Sequence, residues 1–247
     1  MTSWGRWPTP ATESILLSMA RDELQAAVDA AGEAGKLILQ FYGGDYDVRN
    51  KGEDPSKGKL TGDALRSSDY DPVTSADEAA DAHLKKALSD AFPQHGWLSE
   101  ETVDSPERLS ASSVWIVDPI DGTKEFLEGI PEFAVSIALV EDGEPTVAAL
   151  YNPAADEMYT AIKGGGTFLN GQRVFCSELV DLSDASLIVS RSEKARGEVD
   201  AIEPFLGEVR PVGSVAYKLA VVAAGGADLN VSVQPKNEWD VCGGDLL

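Results

Sequence analysis

Cysteine, histidine and long apolar runs are all scarce in this sequence of 247 residues. The two cysteines, Cys176 and Cys242, are too far apart to indicate a disulfide framework. The two histidines, His83 and His95, are too few for a zinc cluster. The apolar run at residues 15–17 is too short to cross a bilayer, and no basic region of a signal peptide precedes it. These absences predict a cytoplasmic protein with no zinc site, no disulfide framework and no membrane partner.

Basic residues are also few. The chain has 20 Lys and Arg against 42 Asp and Glu, which gives a formal net charge of -22. Such a chain repels a phosphate backbone, so we exclude nucleic acid as the main partner. Most of the carboxylates are expected on a solvated surface. An anionic ligand would therefore need bound cations or helix N-termini in order to approach the protein.

The remaining composition is that of a globular protein, with 43% hydrophobic residues. The order of predicted elements indicates an α/β protein, with an α+β N-terminal part and an α/β C-terminal part. We expect an N-terminal arm at residues 1–20, an α+β domain at residues 21–181 and a smaller α/β domain at residues 182–247. Because a helix is predicted to begin after Asp240, close to the last residue, we expect the smaller domain to be incomplete at its C-terminus.

Apolar periodicity predicts a helix over residues 21–42, followed by a long polar loop over residues 44–72. A second helix is predicted to start near Ser75, with Ser75 and Glu78 forming a capping box. Further helices are predicted over residues 193–205 and 214–224. Short apolar runs between turn residues predict strands at 96–99, 114–117, 133–140, 146–151, 157–162, 186–190, 208–212 and 227–233.

One segment carries the strongest chemical signal, Asp118-Pro119-Ile120-Asp121-Gly122-Thr123, directly after a buried strand. Pro119 keeps Asp118 extended and forces a turn, so the two carboxylates can converge with the Ile120 carbonyl between them. Oxygen ligands of this kind suit Mg²⁺. The amides of Gly122 and Thr123 are expected to offer an anion-binding helix start beside the metal.

Other carboxylates occupy similar boundary positions. Glu100 follows a predicted strand, Asp77 lies in the first turn of a predicted helix, and Asp240 precedes another. An Asp-x-x-Asp turn on its own is more often a cap or a turn former than a metal site. The additional carboxylates favour the metal interpretation, because clustered carboxylates repel one another unless a cation is bound.

Four segments in this order resemble motifs of the inositol monophosphatase superfamily. They are Asp71-Pro72-Val73-Thr74-Ser75-Ala76-Asp77, Leu98-Ser99-Glu100-Glu101, the segment from Asp118 to Thr123, and Trp239-Asp240 followed by Gly243-Gly244. The resemblance runs from about residue 21 to the end of the chain. It implies a layered αβαβα sandwich and Mg²⁺-dependent hydrolysis of a small phosphorylated substrate.

The resemblance also implies roles for individual residues. It implies two or three Mg²⁺ ions, the first held by Glu100, Asp118, Asp121 and the Ile120 carbonyl, and the second by Asp118, Asp121 and Asp240. Asp77, Glu100 and Thr123 are implied as catalytic residues that lie near the attacking water. Candidate substrate contacts are Asp121, Gly122, Thr123, Lys124, Ser214, Lys218 and Asp240.

The residues after the metal turn bear on the substrate. Lys124-Glu125-Phe126 is similar to the branch of CysQ-type nucleotidases, which remove the 3′-phosphate of adenosine 3′,5′-bisphosphate or its sulfated form. Lys124 could then meet a second phosphate, although it could also be a surface lysine. Ser214 and Lys218 could line the pocket, or be a helix cap and an exposed lysine.

Two alternatives stay open at this point. Leu229-Asn230-Val231-Ser232 stands where some nucleotidases carry a Tyr and a basic residue, so inositol-1-monophosphatase activity is the first alternative. The second is a non-catalytic protein that senses a phosphate ligand or binds a partner. Relatives occur as monomers and dimers, so a monomer or a homodimer is expected.

Overall fold

The computed structural model describes residues 10–44, 47–50 and 72–247. Helix α1 (Pro10–Phe41) is longer than predicted, so residues 10–20 of the expected arm belong to a helix. The interior of the predicted loop, residues 51–71, lies outside the described residues, and so does Asp71 of the first motif. Four small side chains and one isoleucine on one face of α1 pack against the neighbouring helix and sheet: Ala27, Ala30, Ala31, Ala34 and Ile38.

Helix α2 (Ser75–Ala91) starts where the sequence predicts, but its cap is different. The Thr74 side chain accepts hydrogen bonds from the amides of Ala76 and Asp77, and the Asp77 side chain accepts one from the Thr74 amide. The predicted capping box of Ser75 and Glu78 is therefore wrong by one residue. The correct box places Asp77 in a buried position.

A seven-stranded sheet forms the centre of the molecule, in the order β3-β4-β5-β6-β7-β8-β9. Strands β3 and β4 are parallel and all other pairs are antiparallel. The strands are β3 (Gly96–Ser99), β4 (Ser113–Asp121), β5 (Ala134–Glu141), β6 (Glu144–Asn152), β7 (Glu157–Ile162), β8 (Gly166–Leu169) and β9 (Gln172–Val174). The short strands β1 (Val48–Asn50) and β2 (Pro72–Thr74) pair with each other and were not predicted.

Strand β6 shows how the layers are built. Val147 and Ala149 face the core formed with α1 and α2, whereas Ala148 and Leu150 face the opposite side. This alternation follows from the two-residue period of a strand that is covered on both faces. On the opposite side lie helices α5 (Val215–Ala223) and α6 (Glu238–Leu246).

A second, parallel sheet of three strands lies beyond α5, in the order β11-β10-β12. Its strands are β10 (Ser186–Val189), β11 (Glu208–Pro211) and β12 (Leu229–Asn230). Helix α5 contacts the large sheet through Ala216 and Ala220 and the small sheet through Val221 and Val222. This arrangement confirms the layered α/β fold. The domain boundary between residues 181 and 182 stays a prediction.

Three C-terminal elements differ from their predictions. In place of a helix over residues 193–205, the structure has α4 (Arg191–Ala195) and a 3₁₀ turn (Glu203–Phe205), because Gly197 takes a left-handed φ of 72° that ends the helix. The predicted strand 227–233 has only the two residues of β12. Helix α6 starts at Glu238, before Asp240, because Asn237 and Asp240 form a capping box.

His95 and Glu23 form a buried pair between α1 and the loop before β3. His95 Nε2 lies 3.0 Å from Glu23 Oε1, and the two side chains are 6% and 5% exposed. The His95 ring stacks on Phe92. Burial raises the pKa of Glu23, the nearby Glu141 raises it further, and His95 opposes both effects. Among the described residues, no helix is long and apolar enough to cross a membrane.

Candidate metal centre

The end of β4 brings the two predicted carboxylates into the interior. The pairing of β4 with β5 shifts between Asp118 and Asp121, which lie opposite Ser136 and Ala134. This irregularity changes the direction of the strand end and of its side chains, as bulges beside active sites commonly do. Asp118 is 1% exposed and Asp121 is 8% exposed.

Gly122 joins β4 to helix α3 (Thr123–Glu128) in a left-handed conformation, with φ of 100°. A Cβ atom at this position would lie 3.0 Å from the carbonyl oxygen of Glu132. Only glycine therefore fits the turn without strain. The turn carries the chain directly from the carboxylates into α3, as the motif predicts.

Three carboxylates meet at this point. Side-chain oxygens of Asp118, Asp121 and Asp240 lie within 4.8 Å of one another. Burial raises the pKa of Asp118 well above its usual range, and the negative charges of Glu100 and Asp121 raise it further. A buried cluster of like charges is unfavourable on its own, and a cation at its centre would remove that cost. The oxygen-only donor set fits a hard divalent cation such as Mg²⁺.

Asp121 is held in place by the start of α5. Its Oδ2 accepts hydrogen bonds from Ser214 Oγ at 2.6 Å and from the Ala216 amide at 2.5 Å. The Ser214 hydroxyl also accepts a hydrogen bond from the Tyr217 amide at 2.9 Å, so it caps α5. The cap interpretation of Ser214 is therefore confirmed, and the same hydroxyl orients one of the clustered carboxylates.

Thr123 and Asp77 are brought together from distant parts of the sequence. Thr123 Oγ1 lies 3.2 Å from Asp77 Oδ1 and 3.1 Å from the carbonyl oxygen of Ile120. The other oxygen of Asp77 accepts hydrogen bonds from the Thr74 amide and hydroxyl at 2.7 and 2.5 Å. Asp77 is thus fixed by the capping box of α2 and reaches the centre through Thr123.

A cavity of about 460 Å³ opens at the cluster. Ten of the predicted site residues line it: Glu100, Asp118, Ile120, Asp121, Gly122, Thr123, Lys124, Ser214, Lys218 and Asp240. Asp77 instead lies behind Thr123. Lining residues that sequence reasoning missed include Ser190, Arg191, Ser192 and Lys236.

Basic side chains are concentrated at this cavity although the chain is strongly acidic. Lys124, Arg191, Lys218 and Lys236 all line it. Lys218 is only 1% exposed, so its interpretation as an exposed lysine is wrong. Its Nζ donates to the Ser214 carbonyl at 2.7 Å, and burial lowers its pKa.

Arg191 connects three parts of the wall. Its Nη1 lies 2.7 Å from Glu132 Oε2 and 3.2 Å from Glu125 Oε1. Glu132 Oε2 also accepts a hydrogen bond from the Gly213 amide at 2.6 Å. The hydrogen bond to Glu132 raises the pKa of Arg191. No local pattern marks Arg191, because its partners lie on elements far away in the sequence.

Comparison with known proteins agrees with this geometry. The model of the inositol monophosphatase family matches residues 20–247. The inositol-1-monophosphatase of Rhizobium meliloti is 37% identical over 93% of this chain and 83% of the relative. The Nus factor SuhB of Escherichia coli K12 is 34% identical over 91% of this chain and 80% of the relative.

Solved structures show the same relationship. The IMPase of Thermotoga maritima has a TM-score of 0.77 and 28% identity, over 90% of this chain and 80% of that one. The suhB protein of Bartonella henselae has a TM-score of 0.75 and 32% identity, over 90% of this chain and 82% of that one. From the matched family model, the relatives and the cluster of three carboxylates, we conclude that this chain is a metal-dependent phosphatase that belongs to the inositol monophosphatase family.

Proposed function

We propose that this protein hydrolyses inositol monophosphate in a Mg²⁺-dependent reaction. The observation that carries the proposal is the cluster of Asp118, Asp121 and Asp240, two of them buried, in a cavity that basic side chains also line. In the proposal Glu100, these three carboxylates and the Ile120 carbonyl hold the cations. Bound Mg²⁺ would lower the pKa of a coordinated water and neutralise charge on the phosphoryl group.

The chain's own residues position the reacting groups. When Thr123 donates its hydroxyl hydrogen to Asp77, the lone pairs of its oxygen are available to accept a hydrogen bond from the attacking water. Glu100 lines the same cavity as Thr123 and can accept a second hydrogen bond from that water. The cavity wall that carries Lys218 and Lys236 lowers the local negative potential for an anionic substrate.

The substrate assignment is supported by the relatives. Proteins similar to this chain are named inositol-1-monophosphatase in Rhizobium meliloti and Mesorhizobium japonicum. Their names favour inositol monophosphate over the bisphosphonucleotide that Lys124-Glu125-Phe126 suggested. The resemblance to the CysQ-type branch has no support from the relatives described above.

Adenosine 3′,5′-bisphosphate is a second candidate because of one specific observation. Besides Arg191, which pairs with Glu125 and Glu132, three lysines line the same cavity: Lys124, Lys218 and Lys236. Lys218 and Lys236 could meet a second phosphate of such a substrate. Lys124 is exposed at the rim, where a substrate group could reach it.

A side-by-side assay distinguishes these functions. Phosphate release from inositol 1-phosphate and from adenosine 3′,5′-bisphosphate should be measured with Mg²⁺, with Asp121→Asn as the inactive control. The proposal predicts a higher kcat/KM for the inositol ester. A clear preference for the nucleotide would reverse the ranking, and inactivity toward all phosphomonoesters despite bound Mg²⁺ would favour the sensing or partner-binding alternative.

A further inference from the structure

Helix α2 carries two buried carboxylates one helical turn apart, Asp77 and Asp81. Residues four apart lie on the same face of a helix. Asp77 faces Thr123 at the start of α3. Asp81 faces the turn after β3, which carries Glu100. One rigid helix therefore contacts both sides of the candidate metal centre.

Asp81 is hydrogen bonded through both of its oxygens. Oδ1 accepts from Ser99 Oγ at 2.5 Å, and Oδ2 accepts from Thr102 Oγ1 at 2.6 Å. These two hydroxyls belong to the residues on either side of the pair Glu100-Glu101. Asp81 is 8% exposed and Ser99 is 3% exposed, so water does not replace these contacts easily.

The backbone of the same turn is fixed on its other side by β4. The Glu100 amide donates to the Val117 carbonyl at 3.2 Å, one residue before Asp118. Glu100 is therefore held on one side by the backbone hydrogen bond to β4. On the other side it is held by the clamp, by which we mean the hydrogen bonds of Ser99 and Thr102 to Asp81. Glu100 lines the same cavity as Asp118, Asp121 and Asp240.

A purely structural turn would not require an ionisable group at this place. A buried carboxylate costs more to desolvate than a neutral acceptor, and Asp81 adds negative charge near an anionic cluster. The Asp81 carboxylate offsets this cost by fixing local geometry. Its two charge-assisted hydrogen bonds hold Ser99 and Thr102 in fixed rotamers. Residues that orient metal ligands in this way commonly influence metal affinity.

We propose that Asp81 is a positioning residue that fixes the orientation of Glu100 toward the carboxylate cluster. Helix α2 then acts as a spacer that sets the separation between Glu100 and Thr123. This inference rests on the proposed function, in which Glu100 is a cation ligand.

The test uses Mg²⁺ binding to the full chain without substrate, measured by titration calorimetry, together with the melting temperature. Asp81→Ala should weaken Mg²⁺ binding by roughly 10–100-fold. Asp81→Asn should bind Mg²⁺ more tightly than Asp81→Ala. Its side-chain amide can still form hydrogen bonds with both hydroxyls, once one hydroxyl turns so that its oxygen accepts from the amide nitrogen. Asp90→Asn is the matched control, since Asp90 lies exposed on the same helix and pairs only with Lys86 among the described residues.

Thr102→Val provides a second variant should Asp81→Ala fail to fold. It removes one hydroxyl from the clamp and is expected to weaken Mg²⁺ binding by about tenfold. Wild-type Mg²⁺ affinity in Thr102→Val and in folded Asp81→Ala would overturn the proposal, whatever their melting temperatures.

Glu100→Gln distinguishes a failure of the positioning role of Asp81 from a failure of the cation-ligand role of Glu100. Weakened Mg²⁺ binding in Glu100→Gln combined with wild-type binding in the Asp81 variants would overturn only the positioning role. Wild-type binding in Glu100→Gln would overturn the ligand assignment in the proposed function and the positioning role with it.

Discussion

Ser214 connects the carboxylate cluster to α5, and its removal tests whether that connection matters. Ser214→Ala deletes the hydroxyl that donates to Asp121 and caps α5. Loss of a helix cap costs about 1 kcal/mol. Loss of a hydrogen bond to a charged group costs about 1.5–3 kcal/mol. Asp121 keeps its hydrogen bond from the Ala216 amide. We therefore expect the two losses together to lower the free energy of unfolding by about 3 kcal/mol, near the lower end of their combined range.

The expected result has two parts. A loss of about 3 kcal/mol lowers the melting temperature of a chain of this size by about 6–12 °C. Asp121 would also keep only one of its two orienting hydrogen bonds, so Mg²⁺ affinity and kcat/KM should each fall by about tenfold. Thermal unfolding, calorimetric Mg²⁺ titration and phosphate release measure the three quantities separately.

Two further variants sharpen this test. Ser214 has a left-handed φ of 58°, so Ser214→Gly should regain roughly 1 kcal/mol relative to Ser214→Ala while binding Mg²⁺ equally weakly. Ser183→Ala removes an exposed hydroxyl that bonds Asp181 at 2.8 Å, and should change stability by less than about 0.5 kcal/mol. Wild-type Mg²⁺ affinity and melting temperature in Ser214→Ala would refute the reasoning.

Three other predictions concern single residues. Asp121→Asn should keep the fold, because its amide oxygen still accepts the bonds from α5, but should lower kcat/KM by about 100-fold or more, measured by phosphate release with a Mg²⁺ titration. Gly122→Ala should cost about 1–3 kcal/mol in chemical denaturation, because the turn needs φ of 100° and the added Cβ lies 3.0 Å from a backbone oxygen. Gly129→Ala, at φ of 71° with no atom within 4 Å of an added Cβ, should cost less, and an equal cost in both would contradict the steric argument. The folded-state pKa of Glu23 is raised above about 4.5, so the wild type should lose stability relative to Glu23→Gln as the pH rises through that folded-state pKa. Melting temperatures of both proteins between pH 4.5 and 8 measure this change. A difference in melting temperature that stays constant over this range would contradict the prediction.

The sequence was most informative where chemistry and local backbone geometry coincide. Pro119 and Gly122 determine the turn between Asp118 and Thr123, and that turn was predicted in the right place. Apolar runs also located most strands of the large sheet, because a buried strand is recognisable from a few consecutive residues.

Long-range partners could not be predicted in the same way. Asp81 is one of many acidic residues on a helix, and only the fold shows that its carboxylate accepts hydrogen bonds from Ser99 and Thr102. The burial of Lys218 depends equally on how α5 lies between two sheets. Local periodicity contains neither kind of information, because both depend on which elements become neighbours.

The Thr123 hydroxyl has one hydrogen and two acceptors within reach, Asp77 Oδ1 and the Ile120 carbonyl. It can donate to only one of them at a time. In the proposed metal centre a cation on the Ile120 carbonyl would withdraw electron density from it and repel the hydroxyl hydrogen, which favours Asp77 as the acceptor. Rotation about the Cβ–Oγ1 bond of Thr123 then connects two things: whether a cation occupies the metal centre, and the direction in which the lone pairs of Thr123 Oγ1 point. An empty centre would hold this hydroxyl in two alternative orientations, and a loaded centre would select one of them.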